Sequence, residues 1–348
     1  MKRVPILLTD PSPCLRLLIL QELLQKPKTD PEINELKPLM DSDPLITDLI
    51  KLQEPDGSWR GNALVGSVYN TILTTAMALA RFSFLGFEAN HPTVQKGIEF
   101  LFSQQNEDGS WPLPSNKMGT LQDISETKKG YDMIPLQTGM PLKSIATCGY
   151  ATDHRAELAY KWLLDKQLED GAWPTGINAG VFGGVAGYRR LAHSRWGCRT
   201  NTTVAASCLA YHPKYRTQKA ARRALDLLLG QETKEKHILG FEVARLIGVE
   251  PPRGFLTYHA RFDVGYILNL CWRIGASLED ERIADIIDFI LEQQGQYGLW
   301  EYHPYPQASR WVTFDLLRSL SNLDDSTDWL SLEPRIPFRA YPKQERRF

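Results

Sequence analysis

Several things are scarce in this 348-residue chain. There is almost no net charge: 40 Lys and Arg stand against 41 Asp and Glu, leaving −1. A near-neutral surface gives no general attraction to nucleic acid or to an anionic membrane, although a local basic site is still allowed. There is no apolar run approaching the ~20 residues that cross a bilayer, so no transmembrane helix is expected. The apolar stretch Val4 to Leu8 after Met1-Lys2-Arg3 is stopped by Asp10, Pro11 and Pro13, too early for a signal peptide. The five cysteines (Cys14, Cys148, Cys198, Cys208, Cys271) are odd in number, far apart and without a C-x-x-C pair. Reduced thiols in a cytoplasmic protein are the expectation, and a disulfide framework is not. Charged residues at 23% and aromatics at 10% are globular values.

What is present is a repeat. Gln53-Glu-Pro-Asp-Gly57-Ser-Trp59, Gln105-Asn-Glu-Asp-Gly109-Ser-Trp111, Gln167-Leu-Glu-Asp-Gly171-Ala-Trp173 and Gln294-Gly-Gln-Tyr-Gly298-Leu-Trp300 share one template. A degenerate fifth copy ends at Gln231 and lacks the Gly-x-Trp. The marker glutamines are spaced by 52, 62, 64 and 63 residues. Residues before each marker recur at three and four, as on one face of an amphipathic helix, and the glycine can close that helix in the left-handed conformation. Between markers lie segments apolar on more of their circumference: Asn70 to Phe84, Ser144 to Tyr150, Thr200 to Tyr211, Asp263 to Ile274 and Trp311 to Leu320. These are the expected inner helices, stacked in pairs with the marker helices.

The Q-x3-G-x-W turn closing an outer helix resembles the QW repeat of squalene and oxidosqualene cyclases. Related turns occur in prenyltransferase β subunits. The resemblance covers residues ~43 to 323. It implies an all-α fold, an α/α toroid of about five to six inner and outer helix pairs around an apolar cavity, with the Gln and Trp serving stability. The expected organisation is an N-terminal helical arm over 1–40, a single toroid over 41–325 and an extended basic arm over 326–348. The resemblance also implies a terpenoid cyclase-like enzyme (isomerase or lyase) that cyclises or isomerises an isoprenoid or similar apolar substrate by protonation. The alternatives are a prenyltransferase with a metal site and a non-catalytic toroid that holds a lipid or partner protein.

Two long loops, Pro112 to Leu142 and Pro174 to Cys198, read as lids over one mouth. Arg60, Lys143, Arg195, Arg199, Arg261 and Arg310 each lie shortly before an expected inner helix, where a positive helix end disfavours them. An anionic substrate end held by Arg195, Arg199, Arg261 and Arg310, with Asn201 opening one helix, is the functional reading; pairing with neighbouring carboxylates is the structural one. Asp263 is the leading acid, either a general acid raised in pKa by an apolar cavity or only a helix cap. His259 and Tyr258 precede it closely enough to hydrogen-bond it, and Asp315 is a second acid. Tyr150, Trp196, Phe262, Tyr266 and Trp311 are candidate cavity rings for cation–π stabilisation, or core. The Asp-x-Asp-Asp motif that class II cyclases use is missing: the aligned stretch is Arg199-Thr-Asn201-Thr202-Thr203-Val204. Asp324-Asp325 comes after the last expected inner helix and is not expected to substitute for it. No cofactor is expected; Mg or Zn is the alternative, with Cys198, His193 and His259 as the residues that loops would have to gather. No nucleic-acid partner is expected, and peripheral membrane contact is left open.

Overall fold

The computed structural model describes residues 4–64, 70–112, 135–174, 191, 193–230, 237–251, 259, 261–295, 297–323 and 329. Its helices are α1 (Val4–Leu8), α2 (Pro13–Leu18, continued by a π-turn Ile19–Leu23), α3 (Pro31–Leu36) and α4 (Thr47–Lys51). Then follow α5 (Thr71–Phe84), α6 (Pro92–Ser103), α7 (Pro135–Ile145, continued by a π-turn Ala146–Tyr150), α8 (His154–Asp165), α9 (Arg199–Ala210) and α10 (Lys219–Leu229). Last come α11 (Phe241–Leu246), α12 (Val264–Ile274), α13 (Glu281–Glu292) and α14 (Ser309–Asn322). Two short parallel strands, His237–Ile238 and Phe262–Asp263, flank α11.

The fold is an α/α toroid. Along the inner ring α5 packs on α7, α7 on α9, α9 on α12 and α12 on α14. Contacts advance in step, Ser144 to Ala76 and Cys148 to Leu79 between α7 and α5, Leu136 to Asn201 and Gly139 to Cys208 between α7 and α9, so these helices run parallel. The ring is staggered: Phe84 at the end of α5 meets Trp311 at the start of α14, with ring centroids 5.7 Å apart. The outer helices α6, α8, α10 and α13 alternate with the inner ones in sequence.

Each Gly-x-Trp turn solves the same problem. The indole Nε1 of Trp59, Trp111, Trp173 and Trp300 donates to the carbonyl ten residues earlier, at 2.6–2.8 Å, which ties down a loose end of the preceding helix. The backbone N–H of each Trp donates to a threonine on the next inner helix: Thr75, Thr138, Thr202 and Thr313. Gln53, Gln105 and Gln167 reach the second residue of the next outer helix, donating to the carbonyls of Thr93, Arg155 and Ala220. The glycine is needed twice over. Gly109 sits at φ +89°, and a Cβ there would lie 2.5 Å from the Leu158 carbonyl oxygen of the next outer helix.

Two expectations about organisation change. The segment expected as an N-terminal arm shares the core: Leu7, Cys14, Leu15 and Ile19 are fully buried, and Glu22 pairs with Arg318 of α14 at 3.3 Å. The Pro112 to Leu142 loop is shorter than expected, because residues 135–142 are helical and start α7 two turns early. Pro141 lies inside that helix, and a proline there had read as loop. Residues 113–134 and 175–190, the rest of both candidate lids, lie outside the described residues. So does the C-terminal arm except Trp329, whose indole donates to Asp280 at 3.1 Å.

Candidate functional site

The lumen of the ring is occupied. α11 is short, and all of its residues but Leu246 are buried. It packs against both α5 and α14. Glycines with φ +83° and +82° (Gly240, Gly248) turn the chain into and out of it, and Arg81 of α5 donates from Nε to the Leu246 carbonyl at 3.1 Å.

Asp263 fastens this insert. As N-cap of α12 it accepts from Gly265 N at 3.1 Å and Tyr266 N at 3.4 Å. It also accepts from Gly240 N at 3.2 Å and Glu242 N at 2.8 Å, the N-terminal donors of α11. Burial pushes its carboxyl up to about 7, against the pull of those backbone donors and with the Glu242 charge adding to the rise. The expected general acid is thus a double cap, its two oxygens spent on four backbone donors, and it lines neither large cavity. His259 does not bond it. That ring stacks on Tyr266, centroids 5.1 Å apart, and faces Glu242 at 3.5 Å. Burial lowers the His259 pKa to about 4 despite Glu242, so the ring is neutral at pH 7. Burial alone would raise Glu242, but Arg245 at 3.1 Å together with His259 and Lys143 holds it at about 2. Tyr258 lies outside the described residues.

Behind α11, towards the C-terminal ends of the inner helices, lies a chamber of about 330 Å³. Val243 and Leu246 of α11 form one wall; Phe84, Tyr211, Tyr266 and Trp272 contribute aromatic rings. Its polar groups include Lys143, Arg273, Asp315, Arg318 and Glu22. Asp315 accepts a close hydrogen bond from Arg318, which also reaches Glu22. Burial alone would lower the Arg318 pKa, but the Asp315 and Glu22 charges outweigh it and raise it. The Tyr266 hydroxyl lies 2.6 Å from Ser207 Oγ, which donates to the Thr203 carbonyl, so Tyr266 is the donor in that pair. A second cavity, of about 690 Å³, opens between α14, the start of α2 and the chain after α11; Asp43, Ile247, Tyr302, Arg310 and Trp311 line part of it.

The expected basic rim does not assemble. Arg60 pairs with Glu54 at 3.1 Å and Arg310 with Asp10 at 3.2 Å. Arg199 is buried over the Phe262 ring, Arg261 covers Phe241 of α11, and Arg195 covers the exposed Trp196. Asn201 is spent on backbone, accepting from Leu136 N and donating to the Pro174 carbonyl, both at 2.8 Å. Tyr150 points away from both cavities and donates to the Ala89 carbonyl. Lys143, expected ahead of an inner helix, stands near the end of α7 inside the chamber. Of the expected site residues, the chamber gathers Asp315 and Tyr266. Reasoning from sequence missed Arg318, Glu22, Arg245 and Glu242; the signal for the first was its i,i+3 spacing from Asp315 on an otherwise apolar face.

Among the described residues no three His, Cys, Asp or Glu side chains gather to hold a metal ion, and Cys198, His193 and His259 do not form such a group. The five thiols are buried and unpaired. No helix among the described residues is long and apolar enough to cross a membrane.

Residues 37–187 match the family model of the squalene-hopene cyclase C-terminal domain. The chain is 30% identical over 151 residues to a squalene–hopene cyclase of Zymomonas mobilis, covering 42% of this chain and 21% of that enzyme. It is 31% identical over 134 residues to lanosterol synthase of Saccharomyces cerevisiae, covering 38% and 17%. The chain therefore spans about a fifth of the length of these relatives. Among solved structures, a protein from Actinoplanes is similar at 16% identity and TM-score 0.43, covering 89% of each chain. The apo type II terpene cyclase MstE from Scytonema follows at 13% identity and TM-score 0.31, covering 79% of this chain and 94% of its own. With its Gly-x-Trp turns tying successive helix pairs into a ring, the chain resembles the squalene cyclase-like, QW-repeat superfamily, most closely in sequence over residues 37–187.

Proposed function

We propose that this chain is a terpene cyclase-like enzyme that cyclises or isomerises an isoprenoid-type substrate inside the ring. The observation that carries this reading is the chamber, lined by four aromatic rings and by two carboxylates, of which Asp315 is buried and Glu22 is partly exposed. Such a reaction is redox-neutral. A carboxylic acid gives its proton to an alkene carbon, the positive charge moves along the substrate as C–C bonds form or the double bond shifts, and a proton returns to a base. Asp315, ion-paired with Arg318, is the base placed to take a proton back from the substrate. Arg318 orients it and stabilises the carboxylate form that receives the proton at the end. Aromatic rings lining the chamber, Phe84 among them, favour a passing positive charge, and the α11 wall excludes water that would quench it.

A second reading, a non-catalytic holder of an isoprenoid, is supported by two observations. Asp263 is consumed as a cap, and the Trp272 and Tyr211 faces already carry the Arg273 guanidinium at 4.3 and 4.1 Å. One experiment separates the two. The purified chain is incubated with linear polyprenyl substrates and the extract analysed by gas chromatography–mass spectrometry. Isomeric or cyclic products that disappear in Asp315→Asn support the enzyme; substrate that binds and returns unchanged supports the holder.

A further inference from the structure

We propose that the chamber binds its ligand by a single anionic end, a carboxylate or phosphate group on an apolar tail, with Lys143 as the counter-charge. The inference rests on the isoprenoid reading above and narrows it to anionic amphiphiles.

Lys143 is 7% exposed and lines the chamber. Among the described residues no carboxylate lies within 4 Å of its ammonium, which instead stands over the Tyr266 ring at 4.9 Å. The nearby carboxylates are already engaged: Glu242 by Arg245 and His259, Asp315 and Glu22 by Arg318. The Glu242 charge that Lys143 feels is shared with Arg245 and His259, so the buried ammonium is only partly compensated and has no hydrogen-bonded carboxylate of its own among the described residues. An incoming anion completes that compensation and gains a charge-assisted hydrogen bond.

Arg273 adds to the same field. It also lines the chamber, and its Nε donates to Asn269 rather than to a carboxylate. The cations Lys143, Arg273 and Arg318 thus outnumber the carboxylates Glu22 and Asp315 around the chamber. Phe84, Trp272 and Leu246 supply the apolar surface for a tail. A head group beside Lys143 and Tyr266 places that tail along these side chains.

The test is titration of the full chain with farnesol, farnesyl monophosphate and inorganic phosphate, followed by tryptophan fluorescence and calorimetry. The expected result is about tenfold or more tighter binding of the monophosphate than of farnesol. Lys143→Met should bring the two affinities together, and Lys143→Arg should keep the difference. Inorganic phosphate should bind far more weakly than the monophosphate. Equal affinity of the wild type for farnesol and its phosphate overturns the proposal and leaves the isoprenoid reading standing. So does a preference that survives in Lys143→Met, or free phosphate binding as tightly as the prenyl phosphate. Binding of neither prenyl ligand overturns both. The wild-type comparison needs no variant, so a Lys143→Met chain that fails to fold does not leave the question open.

Discussion

Arg282 and Asp226 tie α13 to α10 at the repeat copy that lacks Gly-x-Trp; Gln231 lies outside the described residues. Arg282, second residue of α13, reaches back to α10, donating to Asp226 Oδ1 at 2.6 Å and to the Asp226 carbonyl at 3.2 Å. Thr93, Arg155 and Ala220 hold the same second position in the other outer helices, where they receive the glutamine. This tie runs in the reverse direction, with Asp280 gripping the same guanidinium at 2.7 Å.

The reversal makes the ring depend on a buried charge. Arg282 is 1% exposed, and its loss removes the positive charge that the buried carboxylates Asp226 and Asp280 share. Arg282→Met should cost about 3–5 kcal/mol in denaturant unfolding. Arg282→Lys should fall between, because it keeps the charge and loses the fork. Gln105→Leu, which breaks a neutral tie, should cost about 1–2 kcal/mol. A smaller loss for Arg282→Met than for Gln105→Leu would show that the ion cluster does not hold the ring.

The threonine under each tryptophan turn can be tested without changing shape. Thr202→Val removes the acceptor of the buried Trp173 N–H and should destabilise by about 1–3 kcal/mol. The effect should repeat at Thr138→Val, beneath Trp111. Unchanged unfolding midpoints in both would assign the turn's stability to the indole alone.

Two glycines with similar backbones should respond differently to alanine. Gly275, φ +84°, has open space where a Cβ would go; Gly109, φ +89°, has the Leu158 backbone there. Gly275→Ala should cost only the left-handed strain, about 1–2 kcal/mol. Gly109→Ala must also push α8 away from α6 and should cost clearly more. Equal costs, read from paired unfolding curves, would mean that helix spacing is not set at these turns.

Acid should loosen the lumenal insert through His259. Its pKa falls from 6.5 to about 4 on folding, so between those values the unfolded chain binds the extra proton. The stability held by the neutral ring is complete above pH 6.5 and is lost as pH falls through 4, amounting to at most about 3 kcal/mol. Asp263, raised on folding from 3.8 to about 7, contributes with the opposite sign over the whole of this range, so the informative quantity is a difference. His259→Asn suits the φ of +55° and does not titrate. Its stability relative to wild type should improve on going from pH 7 to pH 4.5. A constant difference across that range would remove His259 from the acid response.

The ring itself was legible in the sequence because its signals are local: Gln, Gly and Trp at fixed offsets beside helical periodicity. The lumen was not. Glu242 and Arg245 lie on a helix of six residues, too short to carry a periodicity, and only long-range closure buries them. Lys143 read as a rim residue because Pro141 hid the two earlier turns of its helix. Asp263 was found for a sound reason, a carboxylate at a helix start in apolar surroundings. Its cap role won because a second helix, α11, brings its own unsatisfied N–H groups to the same two oxygens.

The insertion of α11 separates two dimensions that a hollow ring would fix together. Helix number and the glycine-set spacing determine the circumference, while six residues between Gly240 and Gly248 help determine how much room remains inside. Lengthening, shortening or withdrawing that segment would rescale the chamber while every tryptophan turn stayed in place. In a protein built this way, the size of the inner space is free to diverge quickly through one short stretch of chain, while the tryptophan turns are left alone.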